Sequence, residues 1–225
     1  MKIGVIGGTG GQGLGIAVRF AQAGEEVIIG SRTIDKAQAA ADKVKEVLGN
    51  SVSVRGAENP DAAKEADILV LTVPLPAQKS TLLSIKEGAA GKPLLDATGP
   101  LEATIGGSPT RFIILPDGSA AQRSQAILPD AKVICAFNNI SEHCLMSVND
   151  EIDCDCLICG DDKEAKALVT PLIEKIPGVK VVDCGPLERA AIVEKITPLL
   201  IGLNIRYKSQ FGGIRITGLD KGKGK

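Results

Sequence analysis

The chain is poor in histidine and tyrosine, although lysines are plentiful. Among 225 residues there is one histidine, His143, and one tyrosine, Tyr207. Hydride transfer to a carbonyl needs a proton donor for the developing alkoxide, commonly His, Lys or Tyr. The Tyr-x-x-x-Lys pairing of short-chain dehydrogenases is excluded, because Phe211 stands four residues after Tyr207. His143, within Ser141-Glu142-His143-Cys144, reads either as an exposed histidine or as the acid of a hydroxyacid dehydrogenase.

Net charge is also lacking. A formal balance of −1 gives no electrostatic case for nucleic acid or an anionic membrane. Only Lys221-Gly222-Lys223-Gly224-Lys225 is locally basic, and it reads as a solvated tail. No uninterrupted apolar run reaches the roughly 18 residues a membrane span requires. Met1 leads straight into a strand without the cationic flank of a secretion signal. A cytoplasmic location is expected.

What the chain does have is a hydrophobic fraction of 44%, enough for a real core. Its most informative stretch is Lys2-Ile3-Gly4-Val5-Ile6-Gly7-Gly8-Thr9-Gly10-Gly11-Gln12-Gly13-Leu14-Gly15. A short apolar strand breaks into glycines and continues as Ile16-Ala17-Val18-Arg19-Phe20-Ala21 with helical spacing. Gly8, Gly10 and Gly13 fit the G-x-G-x-x-G fingerprint at the strand-to-helix junction where dinucleotides bind. Missing Cβ atoms let the backbone approach a pyrophosphate. The helix N-terminus then presents unpaired N–H groups and the positive end of its dipole.

Val27-Ile28-Ile29-Gly30 reads as the second strand, and the residues after it decide which dinucleotide fits. A carboxylate at this strand end binds the ribose 2′-hydroxyl of NAD. Eighteen residues after Gly13 the chain has Ser31-Arg32-Thr33 instead. The Arg32 fork suits phosphate oxygens, Ser31 can donate to them, and Lys36 adds charge one helical turn on. The alternative is that Ser31 caps a helix and the two cations are surface charges. NADP is expected over NAD.

The remaining chain alternates helix and strand. We expect a helix over 35–48, a strand over 51–54 and a short helix over 60–66. The run Ala66-Asp67-Ile68-Leu69-Val70-Leu71-Thr72-Val73-Pro74 reads as a buried parallel strand stopped by proline. A helix follows over 77–87, a strand over 92–98, a Gly/Pro-rich loop over 99–118 that is functional or mobile, a helix over 119–128 and a strand over 132–137. Beyond them come a strand over 154–159, a helix over 162–176, a strand over 179–183 and one long helix from Leu187 to about Lys208. That last helix carries an apolar face of Ile192, Ile196, Leu199, Leu200 and Leu203. Asp161-Asp162 reads as a helix N-cap. The pattern predicts an α/β, doubly wound parallel sheet.

Six cysteines need a decision. Cys154, Cys156 and Cys159 form C-x-C-x-x-C, which on a strand points to both faces and so suits packing better than a metal. Free thiols are expected in a reducing compartment. The shortage of histidine and tyrosine itself points to a reaction in which the protein aligns two reactants, such as hydride passing from a nicotinamide to a second redox cofactor.

The chain resembles the NADPH-dependent coenzyme F420 reductases. The resemblance is carried by Gly7-Gly8-Thr9-Gly10 with Gly13, Gly30-Ser31-Arg32 with Lys36, Leu71-Thr72-Val73-Pro74 and Asp96-Ala97-Thr98. Downstream it includes Ala136-Phe137-Asn138-Asn139-Ile140-Ser141, Cys159-Gly160-Asp161-Asp162 and Asp183-Cys184-Gly185-Pro186-Leu187-Glu188. Thr197-Pro198-Leu199-Leu200 and Gly213-Ile214-Arg215-Ile216-Thr217 complete it. One local departure is Gly99 before Pro100, where a branched apolar residue is expected.

The resemblance implies reversible hydride transfer between the nicotinamide of NADP and the deazaflavin of coenzyme F420, with no residue acting covalently. It implies a Rossmann domain over 1–137 and a smaller C-terminal α/β part over 138–225 that closes the deazaflavin cleft. Thr9, Gly10, Gly11 and Gln12 would hold the pyrophosphate, and Ser31, Arg32 and Lys36 the 2′-phosphate. Val73 and Pro74 would line the nicotinamide pocket, with Ala136 and Asn138 near the ring edge. Asn138, Ile140 and the Gly185–Leu187 turn would touch the deazaflavin. A homodimer or larger assembly is implied. The rival readings are another NADP-dependent reductase (imine, pyrroline-carboxylate or hydroxyacid type) and a non-catalytic NADP-sensing module.

Overall fold

Strand–helix alternation produces one sheet. The computed structural model describes residues 1–219, so the basic stretch over 221–225 lies outside the described residues. The strands are β1 (Lys2–Ile6), β2 (Glu26–Ser31), β3 (Val54–Glu58), β4 (Ile68–Leu71), β5 (Pro93–Asp96), β6 (Lys132–Cys135), β7 (Asp155–Gly160) and β8 (Lys180–Asp183). They form one eight-stranded sheet in the order β3-β2-β1-β4-β5-β6-β7-β8. The first six are parallel; β7 runs antiparallel to β6, and β8 runs parallel to β7. The reversal of order beside β1 is the switch point outside which ligands bind in doubly wound sheets.

The helices are α1 (Gly11–Gln22), α2 (Ile34–Leu48), α3 (Asn59–Glu65), α4 (Leu75–Ser84), α5 (Lys86–Ala89), α6 (Ala120–Ile127), α7 (Glu142–Met146), α8 (Lys163–Ile173), α9 (Ala190–Val193) and α10 (Ile196–Tyr207). They cover both faces of the sheet with two apolar layers. One layer contains Ile3, Val5, Ile16, Phe20, Ile158 and Leu172. The other contains Ile6, Leu69, Leu71, Leu82, Leu157 and Val193. Side chains alternate across the pleat, so the buried strands read as continuous apolar runs.

Several segments differ from the sequence expectation, among them α7, where no helix was expected, and the helix over 77–87, which divides into α4 and α5. The strand expected over 51–54 begins at Val54 and continues through Arg55-Gly56-Ala57-Glu58. Gly49, at φ 88°, ends α2 and the chain turns before it reaches the sheet. As the edge strand, β3 needs a packed face on one side only, so charged residues are tolerated. The long helix expected from Leu187 is broken into a 3-10 turn (Leu187–Arg189), α9 and α10. The break falls where Glu194 turns inward and where Pro198, lacking an N–H, fits the first turn of α10. Its expected apolar face divides: Leu200 is buried, whereas Ile192 and Leu199 are each 58% exposed. The loop over 99–118 is ordered by a 3-10 turn (Glu102–Ile105) and a bridge between Leu101 and Phe112.

The cysteines behave as packing residues. All six are free, with Cys135, Cys154, Cys156 and Cys159 buried. Cys154 and Cys156 enter one apolar layer and Cys159 the other, as the C-x-C-x-x-C spacing requires. Asp162 caps α8, accepting from Ala165 N at 2.7 Å.

Candidate cofactor cleft

The glycine turn joins β1 to α1 at the carboxyl edge of the sheet. Gly7 has φ 72°, and a Cβ there would strike the Val73 side chain. Gly13 lets α1 rest on the preceding turn, since its Cβ would stand 2.6 Å from Gly8 Cα. Around Gly10 an added Cβ meets nothing within 4 Å. No side chain caps α1, and its first turn holds no acidic residue. Its leading N–H groups make no side-chain cap bond and suit an anion, with open backbone at Gly10 and the Glu142 carboxylate standing against Gly11.

The turn is braced from two directions. Asn59, 4% exposed at the start of α3, accepts from Gly7 N through Oδ1 at 3.1 Å. Gly8 N donates to Gly30 O at 3.0 Å, which sets the end of β2 beside the turn. Ser31 is buried there, while Arg32 and Lys36 are exposed. Neither cation belongs to an ion pair among the described residues. The residue preceding α2 is Thr33, so Ser31 is not its cap.

Gln12 reaches across the cleft. Its Nε2 donates to Phe137 O at 3.0 Å and Ile140 O at 3.3 Å, so its amide ties α1 to the loop after β6. Phe137 sits at φ 66°, a left-handed conformation that costs a non-glycine residue about 1 kcal/mol or more and gathers at functional sites. Its buried ring meets Phe20 edge-on, with centroids 6.0 Å apart. Asn138 Nδ2 donates to Thr98 O at 3.2 Å, and Cys135 Sγ donates to Asn138 Oδ1 at 3.2 Å. Thr197 Oγ1 of α10 donates to Asn138 O at 2.7 Å.

A cleft opens beside this loop, lined by Gln12, Leu101, Ile140, His143, Thr197 and Leu200. One wall comes from the glycine-turn side and the other from α10. Val73 packs on Gly7 next to exposed Pro74 at the end of β4. The Ala136 methyl is fully buried in the core. The Gly185–Leu187 turn is elsewhere: Pro186 and Leu187 border a separate groove with Gln122, Gln125 and Asp161. His143 is exposed at the mouth of the cleft.

Behind the cleft lie two buried carboxylates. Asp96, 1% exposed, accepts from Ser124 Oγ at 2.6 Å, Thr98 N at 2.8 Å and Gln78 Nε2 at 3.2 Å. Burial nonetheless raises its pKa above the usual carboxylate range. Glu194 accepts from Ala120 N and Ala121 N, both at 3.0 Å, and so caps α6. Burial, assisted by the nearby Asp96 charge, pushes Glu194 up to about 8. The Thr98 hydroxyl, at the end of this network, is buried without a hydrogen-bond partner among the described residues.

Sequence reasoning missed Asn59, Glu194 and Arg19. Arg19 is 1% exposed and donates to the carbonyls of Leu145, Cys144, Ser147 and Asp150 at 2.8, 2.8, 2.6 and 3.1 Å. Its signal was present: a charged residue inside the apolar run Ile16–Ala21. Among the described residues no cluster of three His, Cys, Asp or Glu side chains is arranged to hold a metal. No helix among them is long and apolar enough to cross a membrane.

A doubly wound sheet with a bare helix end at its switch point defines a dinucleotide-binding protein of the Rossmann class. A family profile described as "NADP oxidoreductase coenzyme F420-dependent" matches residues 2–100. The F420-dependent NADP reductase of Methanothermobacter thermautotrophicus is 55% identical over 222 residues, covering 97% of this chain and 96% of its own. That of Methanocaldococcus jannaschii is 47% identical, covering 98% and 100%. A crystal structure from Arthrobacter sp. FB24, of a protein proposed to be an F420-dependent NADP reductase, has TM-score 0.84 at 27% identity and covers 97% and 100%. The chain belongs to the F420-dependent NADP reductase family.

Proposed function

We propose that the protein transfers a hydride reversibly between NADP(H) and coenzyme F420. One observation carries the reading: Gln12, on the helix whose bare end suits a pyrophosphate, is bonded to the Phe137–Ile140 loop that floors the cleft beneath α10. On this reading the two ligand sites share one wall, as a reaction between two bound cofactors requires. The two cofactors supply the electron chemistry when bound.

The chain's own residues bind and orient. Thr9, Gly10, Gly11 and the N–H groups of the first turn of α1 suit the pyrophosphate. Gln12 takes part through its backbone, its side chain being the brace across the cleft. Ser31, Arg32 and Lys36 suit the 2′-phosphate. Val73 and Pro74 border the nicotinamide side, and Ile140 lines the floor, with Asn138 and Ala136 supporting it from the buried layer beneath. Leu101 and Leu200 give the deazaflavin side apolar walls that exclude water. Residues 1–137 form the NADP-binding part in this scheme, and the chain from 138 onward closes the cleft.

The same reading extends to assembly and setting. Leu199, Ile205 and Phe211 are 58%, 61% and 59% exposed, apolar side chains that contact with a second copy of the chain would bury. The family's homodimer or larger form would cover them, and light scattering of the purified protein tests this. Free thiols support a cytoplasmic setting. The near-neutral charge supports small molecules, not nucleic acid, as partners.

The test is direct. Purified protein mixed with NADPH and oxidised coenzyme F420 should bleach the deazaflavin absorbance, and reduced F420 with NADP should restore it. Retained NADPH binding without bleaching would overturn the reading in favour of an NADP-sensing module or another reductase.

A further inference from the structure

We propose that Cys159 and Cys184 are a reversible modification site, a dithiol that hydroperoxides close to a disulfide. No step of hydride transfer uses them. The inference rests on a row of thiols across three strands. Cys135 and Cys159 are register partners between β6 and β7. Ile158 is the partner of Asp183 between β7 and β8, so the next residue along each strand sets Cys159 beside Cys184. Cys184 N donates to Ile158 O at 2.8 Å and holds this register just beyond the end of β8. All three side chains enter the same apolar layer, with Leu157 and Leu187.

Distance and direction both permit the bond. Adjacent strands stand about 4.7–4.9 Å apart, inside the roughly 4.4–6.8 Å between Cα atoms that a disulfide spans. The Cys184 thiol makes one long hydrogen bond, donating to Val182 O at 3.6 Å on its own strand, and so holds its orientation weakly. A bridge therefore requires rotation of side chains, not movement of the strands.

Exposure assigns the roles. Cys184 is half-buried at the outer edge of the sheet, whereas Cys159 and Cys135 are fully buried. A solute therefore meets Cys184 first. Its neighbour Cys159 lowers the Cys184 pKa, whereas proximity to Cys184 together with burial raises that of Cys159. The exposed sulfur is the better thiolate and the buried one keeps its proton, which divides attacker from resolving thiol. Asp183 beside Cys184 is paired with Lys166 at 2.9 Å, which offsets its repulsion of a thiolate. Cys135 is engaged differently, donating to Asn138 Oδ1 at the cleft floor, and burial raises it strongly.

The chemistry balances in two steps. The Cys184 thiolate attacks one oxygen of the hydroperoxide, the O–O bond breaks, and the other oxygen leaves as water or an alcohol after taking a proton. The resulting sulfenic acid is attacked by the Cys159 sulfur, which loses its proton as the hydroxyl leaves as water. Two thiols have then lost two electrons to one hydroperoxide. An added dithiol reverses the bond by exchange.

The full-length protein would be treated with a few equivalents of hydrogen peroxide, denatured in an alkylating agent, digested and mapped by mass. The expected result is loss of two alkylatable thiols and a peptide pair joining Cys159 to Cys184, released by dithiothreitol. Cys159→Ala should leave Cys184 as a sulfenic acid captured by dimedone, and Cys184→Ala should abolish thiol loss. A bridge between other cysteines would overturn the proposal, as would Cys184 alkylated in full after peroxide or oxidised beyond sulfenic acid while Cys159 stays free. The wild-type map decides by itself if Cys159→Ala does not fold.

Discussion

The Glu142 carboxylate rests against Gly11 at the start of α1, so closely that a methyl group on Gly11 would overlap it. An anionic side chain is favourable at a helix N-terminus, but it occupies the field that a pyrophosphate would use. Glu142→Gln should therefore tighten NADPH roughly two- to fivefold, the equivalent of about 0.3–1 kcal/mol for a charge at a helix end. Calorimetric titration checks this, and unchanged or weaker binding would show that the carboxylate does not compete.

Arg32 should discriminate between the two dinucleotides. It is exposed at the end of β2 and has no carboxylate partner among the described residues. Arg32→Ala should cost NADPH about 1.5–3 kcal/mol, roughly 10- to 150-fold in affinity, and leave NADH within about twofold. Asn59→Ala gives the contrasting case. It frees Gly7 N from its only side-chain acceptor and should weaken both dinucleotides alike, by about fivefold for a lost bond of about 1 kcal/mol. Equal losses for Arg32→Ala would remove that residue from 2′-phosphate recognition.

Arg19 is a stability residue. Replacing it with Met would take the donor from four carbonyls, of which Leu145 is buried and Cys144 and Ser147 half-buried. A loss of about 3 kcal/mol is expected, and at about 2–4 °C per kcal/mol for a chain of this size the melting temperature should fall by about 6–12 °C. Calorimetry of Arg19→Met and Arg19→Lys should show both destabilised, Lys less, because an ammonium reaches some of the same acceptors.

Glu194 predicts the sign of a pH effect. Its pKa rises from 4.5 to about 8 on folding, so over that window the native state holds more protons than the unfolded chain. Its contribution is present in full at low pH and is lost as the pH rises through the window. Glu194→Gln should be less stable than the parent at acidic pH, having one fewer good acceptor for α6. The gap should narrow or reverse towards pH 8. Urea midpoints measured across this range check it, and parallel curves for the two proteins would refute it.

Much of this was legible in the sequence because it was local. The glycine turn, the absence of a carboxylate after β2 and the apolar strands all depend on neighbours a few residues away. The face-splitting of Cys154, Cys156 and Cys159 followed from the pleat alone. What could not be read were meetings between distant segments: Asn59 with Gly7, Gln12 with Phe137, Glu194 with the start of α6. The split of the last helix has the same origin. The periodicity of Ile192 to Leu203 is helical throughout, and it carries no record of a carboxylate that turns inward to cap a helix more than seventy residues earlier. That Pro186 and Leu187 border a groove apart from the cleft was likewise not legible, because chain order does not reveal that β7 reverses direction.

The arginine at the heart of α1 also bears on how such a chain can be inherited. Its four carbonyl acceptors come from residues 144–150, its other acceptor is Gln22 Oε1 at 3.4 Å on the same helix, and Gly15 fits against Leu145. Cut after Phe137, the dinucleotide-binding half would keep a permanently charged group on an apolar helix face with only the long contact to Gln22 to accept its hydrogen bonds. That half is therefore not a portable cassette. A chimera that joins it to another catalytic partner must carry the 138–150 segment along with it, or change Arg19 at the same time.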